Sequence, residues 1–245
     1  MPYSGVVKHV MARHLPHSIY TPANIRRRQK VESILLKWHN RLVKAFSMKD
    51  AMALAKGEFP VTEAAELVAD HAIFPDLGIK DALEEVLGDA AQSVFVKSVG
   101  YAADEDIAKG VARDRAERLF NDMNKTDAGK IGEIVAKSVS SDMTVEETAQ
   151  AIMAFVKNDQ MTPERAQMIA TTEVNEALAQ AGQASATQMG FTTKEWVTDL
   201  SSNVCETCVG NEEQGPIGIE EEFISGDLTP TAHPNCACWL VYSGE

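Results

Sequence analysis

Apolar residues recur every three or four positions through most of this chain. Ile34, Leu35, Trp38, Leu42, Val43 and Phe46 form one such stripe. With Pro22 as a favourable first helical residue, they predict a helix from Pro22 to about Ala55. Gly57 and Pro60 break the pattern, Thr62 offers an N-cap for a short helix, and Pro75 to Gly78 is a second break. Helices are then predicted over about 79–102, 104–123, 127–140, 144–157 and 162–189, with start signals at Asp104, Thr144 and Thr162-Pro163-Glu164. On the last of them Ala166, Ile169, Ala170, Val174, Ala177, Ala181 and Ala184 share one face, small enough to let another helix approach closely. After Gly190 the texture changes. Residues 192–198 are rich in β-formers and predict a strand, with Trp239 to Tyr242 as its mate. Trp196 is expected to cover a small core, and Glu220 to Ile224 to form a solvated edge with Phe223 as its buried foot.

The fold class that follows is mainly α: a bundle of six or seven helices, then a small α+β C-terminal module with two strands and a Cys/His cluster. The expected divisions are a basic N-terminal arm and first helix over 1–60, a helical body over 61–161, and a final domain over 162–245. The composition agrees. Hydrophobic residues are 44% but aromatics only 6%, which suits closely packed helices. No run of 18 apolar residues exists to span a membrane, and the N-terminus lacks the apolar core of a secretory signal. Synthesis in a cytoplasm is expected, where thiols stay reduced.

Charge changes the picture at one end. The net charge is −13, yet residues 1–50 hold ten Lys and Arg against Glu32 and Asp50 only. The last 45 residues hold no Lys or Arg at all. A basic stretch on an acidic body reads as a contact surface for nucleic acid, for an acidic partner or for another copy; a merely solvated helix face is the plainer account. Arg26, Arg27 and Arg28 open the first helix, where the helix dipole disfavours cations, so they are the candidate partner-binding residues. His9, His14 and His17 are too loosely spaced for a metal site and read as surface histidines.

The candidate chemistry lies at the other end. All four cysteines fall between Cys205 and Cys238: a C-x-x-C pair, Cys205 and Cys208, and then His233-Pro-Asn-Cys236-Ala-Cys238. Two residues between cysteines let both sulfurs of a turn face one centre, as a tetrahedral metal site needs. A structural Zn²⁺ held by three or four of Cys205, Cys208, His233, Cys236 and Cys238 is the leading reading; two disulfides or free thiols are the alternative. A second feature is Glu173, inside the apolar arc of the 162–189 helix, where a carboxylate must be paired or hydrogen-bonded. It reads as a structural carboxylate anchored to an arginine of another helix (Arg113, Arg115 or Arg118) rather than as a catalytic acid. No Gly-rich phosphate loop, Gly-x-Ser-x-Gly elbow or H-E-x-x-H pair is present, and a deaminase would need glutamate where Asn235 stands. No catalytic residue is expected, nor a small-molecule substrate.

The blocks Arg165 to Glu173, Trp196 to Leu200, Val204-Cys-Glu-Thr-Cys208, Glu222-Phe223 and His233-Pro-Asn-Cys-Ala-Cys238, in this order, resemble phage minor head proteins of the phage Mu F type, also called head-morphogenesis proteins. The resemblance covers about residues 162–242. The chain departs from the family pattern at Thr171, Thr231-Ala232 and Ala237. The resemblance implies a structural, non-enzymatic virion protein, inside the head near the portal vertex and in the host cytoplasm during assembly. Its implied partners are the portal protein and the major capsid or scaffold protein, with packaged DNA as a further one. A zinc-containing nucleic-acid-binding protein using the basic N-terminal region is the alternative.

Overall fold

The computed structural model describes residues 21–56, 76–93, 95–96, 101–102, 105–141, 143–198 and 204–244. Helix α1 spans Pro22–Ala45. Thr21 caps it, its Oγ1 accepting from the Asn24 N–H at 3.2 Å, and Pro22 takes the first helical position. The helix does not continue to Ala55 as the periodicity predicts. Ser47 and Asp50 form a reciprocal capping box that starts a separate helix, α2, over Met48–Ala55. The short helix expected from Thr62 lies outside the described residues.

Helix α3, Ile79–Gln92, is shorter than the predicted 79–102. The Ser93 hydroxyl donates to the Ala90 carbonyl at 2.7 Å, and the β-forming run that follows makes a small antiparallel pair, β1 (Phe95–Val96) with β2 (Tyr101–Ala102). Helix α4 runs unbroken over Glu105–Ser140, where two helices were expected. The Asn124-Lys-Thr126 stretch reads as a break, but Asn124 Nδ2 donates to the Phe120 carbonyl at 3.0 Å and Thr126 Oγ1 to the Asp122 carbonyl at 2.8 Å. Polar side chains that bond back one turn need not end a helix. Helix α5, Val145–Ala154, starts at Thr144, whose capping box with Glu147 is formed. It passes into a π-helical turn over Phe155–Asp159, closed by the Gln160 N–H on the Phe155 carbonyl at 3.0 Å. Helix α6, Pro163–Gln188, matches its prediction closely. Among the described residues no helix is long and apolar enough to cross a membrane.

The C-terminal sheet has three antiparallel strands in the order β4-β3-β5: β3 is Thr193–Val197, β4 Ile217–Gly218 and β5 Trp239–Ser243. The predicted pair is there, with Trp196 opposite Leu240 and Val197 opposite Trp239. The two-residue β4 is an addition that no alternating pattern announces. A short helix, α7 (Glu206–Glu213), packs near β3.

By contacts the chain divides into two compact units. One comprises residues 32–82 and 116–166. Its core holds Leu35, Trp38, Leu42, Phe120, Ile131 and Ile152, with Trp38 edge-on to Phe120 at 6.4 Å, and α2 lies against α5. Inside it a buried polar chain joins His39 Nδ1 to Gln160 Oε1 (2.7 Å), Gln160 Nε2 to Asp127 Oδ2 (2.7 Å) and Arg165 Nη1 to Asp127 Oδ1 (3.0 Å). Burial pushes the Asp127 carboxyl up, while Arg165 and Gln160 pull it back. The other unit comprises residues 1–31, 83–115 and 167–245, and contains the sheet and every cysteine.

Candidate metal centre

Two knuckles face each other in this second unit. In the first, Cys205 is the N-cap of α7 and its sulfur accepts from the Cys208 N–H at 3.4 Å. In the second, the Cys236 N–H donates to the His233 carbonyl at 3.1 Å, and Asn235 takes a left-handed φ of 60°, which asparagine tolerates better than most residues. The knuckles pack into one small core of Trp196, Cys208, Ile217, Phe223, Cys236, Cys238 and Leu240. Trp196 is fully buried and edge-on to Phe223 at 5.0 Å; the three glutamates before Phe223 stay in water.

The five donor side chains come together as two overlapping triplets. Cys205, Cys208 and His233 form one, and Cys208, Cys236 and Cys238 the other, each with its donor atoms within 4.8 Å of one another. Cys208 Sγ lies 3.3 Å from His233 Nε2 and 3.8 Å from Cys236 Sγ. Zinc–sulfur bonds of about 2.3 Å in a tetrahedron put neighbouring donors roughly 3.5–3.8 Å apart, so these separations fit a shared ion. The histidine also presents the right nitrogen. Its Nδ1 sits 2.9 Å from the Pro234 carbonyl, which can only accept, so Nδ1 carries the proton and the Nε2 lone pair faces the sulfurs.

The electrostatics of the cluster suit a cation. Cys236 is lowered to about 6, first because the Cys238 thiol hydrogen-bonds its sulfur. Burial, and then the Cys236 charge, push Cys208 up; Cys238 is pushed up because its own proton is held in the bond to Cys236. Cys205 is lowered: burial works against it, but the Cys208 N–H stabilises its thiolate. His233 is raised; burial opposes this, and the Pro234 hydrogen bond and the nearby thiols outweigh it. Packed this closely, Cys236 gains its charge at the expense of Cys208 and Cys238. A divalent cation would relieve that conflict by letting neighbouring sulfurs bind as thiolates.

Three residues that the sequence did not single out hold this arrangement. Asn175 on α6 donates through Nδ2 to the carbonyls of Cys236 (2.8 Å) and Cys238 (3.2 Å). Thr172 Oγ1 accepts from the Asn235 N–H at 3.0 Å. The available signal was Asn175 itself, a poor helix former in the middle of a strong helix. Lys194 on β3 is fully buried, donates from Nζ to the Leu228 carbonyl at 2.8 Å and lies over the Phe223 ring. Burial lowers it to about 8, against the pull of Glu220, Glu221 and Glu222.

The other candidate residues are dispersed. Glu173 is buried on α6 and accepts from Arg115 Nη2 at 2.6 Å and Nε at 3.1 Å, while Arg115 Nη1 reaches Glu176 at 3.0 Å. Arg26 is exposed. Arg27 is held by Asp89 (2.8 Å) and Asn24 (2.6 Å), and Arg28 is half-buried.

Fold and site together define a predominantly helical protein that closes in a cysteine–histidine knuckle module. The chain belongs to the family described as Phage Mu protein F like protein, whose profile matches residues 105–241, and is thus a phage head-morphogenesis protein of the Mu F type. No curated protein and no solved structure matches it.

Proposed function

We propose that this chain is a structural minor head protein that joins the procapsid at the portal vertex and assists head assembly, DNA packaging or ejection. The observation that carries the reading is the family match, which runs from α4 through both cysteine knuckles into β5. Within that role the knuckle module is clamped by one structural zinc ion. Cys205, Cys208, His233, Cys236 and Cys238 are five candidates for four positions. Filling the shell with protein donors leaves no place for a substrate, which is the pattern of a structural zinc rather than a catalytic one. The basic residues of the N-terminal region supply its contact to an anionic partner, and Glu173 serves as a structural anchor through Arg115.

The test is composition of the procapsid. Heads assembled with the portal protein should contain this chain, and heads assembled without the portal protein should lack it. Equal incorporation into portal-less heads would remove the portal from the reading and move the contact to the shell or scaffold.

A further inference from the structure

The surface of the C-terminal module holds one side chain that its own fold does not explain. Ile224 is 77% exposed, and Val209 on α7 is 37% exposed. The two are close: Ile224 Cγ2 lies 3.8 Å from where a Cβ would stand on Gly210, the residue after Val209. A lone exposed aliphatic side chain is ordinary. This one is held in place. Phe223 to Asp227 form a tight turn. In it the Gly226 N–H donates to the Phe223 carbonyl at 2.8 Å, the Phe223 N–H donates to the Asp227 carbonyl at 2.9 Å, and Gly226 takes a left-handed φ of 85°. Three side-chain hydrogen bonds pin the turn to the C-terminal end of α7. The Ile224 N–H donates to Gln214 Oε1 at 2.8 Å, the Ser225 N–H to Asn211 Oδ1 at 3.2 Å, and Asn211 Nδ2 to Ser225 Oγ at 2.9 Å. Asn211 itself is fully buried. Proline or a small polar residue suits the corner of a turn, and a β-branched apolar residue contributes nothing to it.

We propose that Ile224, with Val209 beside it, is the apolar anchor of a docking surface for another protein, one that presents an apolar pocket ringed by Lys and Arg. A side chain already ordered loses little freedom on entering a pocket, and a few such anchors carry most of the binding energy of an interface. The rim sets the partner's charge. Glu206 and Glu213 lie on the same face of α7 as Gly210, one turn to either side of it, and Glu222 and Asp227 bracket the turn. Residues 204–228 hold seven Asp and Glu and no Lys or Arg. That sign repels nucleic acid and anionic lipid. It also disfavours the matching face of a second copy, since a two-fold contact would set like charges against each other. A basic protein surface is the complement that remains. The inference rests on the head-protein reading only for where the partner is met, and its test separates the two.

The experiment is photocrosslinking during infection, with the full chain carrying p-benzoylphenylalanine in place of the exposed Glu222 and Ile224 left intact. The adduct should map to one protein other than this chain, at a segment where Lys or Arg stands beside apolar residues. Adding Ile224→Asp should cut the adduct yield about tenfold or more, and adding Glu213→Lys should cut it several-fold. Met48→Asp, at an exposed methionine of α2, should leave the yield as it was. Helical circular dichroism should be the same in every variant, because each replaced side chain is exposed. No adduct, an adduct spread over many proteins, or an adduct between two copies of the chain overturns the proposal. So does a yield that Ile224→Asp or Glu213→Lys leaves unchanged, or that Met48→Asp lowers equally. Sedimentation of the adduct with heads tests the head-protein reading: an adduct found only outside heads would fail that reading and support this one.

Discussion

Single residues carry this structure where a polar group is buried with a defined partner. Glu173 illustrates the cost of getting that wrong. Its carboxylate lies in an apolar arc of α6, yet it takes two charge-assisted hydrogen bonds from Arg115. Removing one member of a buried pair leaves the other charge without compensation. Glu173→Gln should therefore destabilise the protein by roughly 1–3 kcal/mol, with Glu176 retaining part of the hold on Arg115. Urea denaturation measures this. Unchanged stability together with lost incorporation into heads would turn Glu173 into a contact residue instead. Asn175 follows the same logic toward the metal centre: one amide fixes two carbonyls of the second knuckle, so the sulfurs are aimed before any ion arrives.

At the scale of elements, caps and back-bonding side chains set the boundaries that periodicity left undecided. Apolar spacing alone joins α1 to α2, and the Ser47–Asp50 box separates them. Ser47→Ala removes the acceptor for the Asp50 N–H, and should cost about 1 kcal/mol, read as a lower urea midpoint. Ser47→Thr should preserve stability, because its hydroxyl can both accept from the Asp50 N–H and donate to the Asp50 carboxylate. If both variants lose stability equally, packing at that corner rather than the cap separates the helices. The reverse error occurs in α4. Asn124 and Thr126 look like a break in a one-dimensional reading, but their side chains serve carbonyls of their own helix.

At the scale of the whole molecule, the metal centre is a matter of linkage. Thiolate and neutral imidazole bind zinc, whereas their protonated forms do not. Purified under reducing conditions, the protein should carry about one zinc per chain. Lowering the pH puts protons in competition with the metal, so zinc should leave on acidification and remain on mild alkalisation. Its loss should raise hydrogen exchange across residues 190–244, while the unit of residues 32–82 and 116–166, which holds no cysteine, keeps its protection. Cys208→Ser should reproduce the metal-free state at neutral pH, since Cys208 belongs to both donor triplets. Metal-free protein with two native disulfides by mass spectrometry would sink this reading. Lys194 adds a dependence of the same sign, in a higher pH range, elsewhere in the same unit. Its folded pKa of about 8 lies below the usual lysine value, so the unfolded chain binds the extra proton, and this group adds stability as pH rises from about 8 toward 10.5.

The sequence by itself determined what depends on near neighbours. Helical periodicity placed most of the helices, Thr144 and Thr162 marked two of their starts, and the β-forming runs on either side of the cysteines gave the β3–β5 pair. The family blocks were legible because cysteine, histidine, tryptophan and proline at fixed spacing are rarely met by chance. Only the tertiary structure decided which long-range partners were used. Three arginines were candidates for Glu173, and Arg115 is the one that α4 places against it. Asn175 and Lys194 read as an unremarkable helix residue and strand residue, because their bonds cross 61 to 63 and 34 positions of chain. The three arginines of α1 read as one cluster in a line, but 100° per residue sends Arg27 to Asp89 and Asn24 and leaves Arg26 exposed. Local chemistry is written in the order of residues, and the geometry that recruits it is written only when the chain folds back on itself.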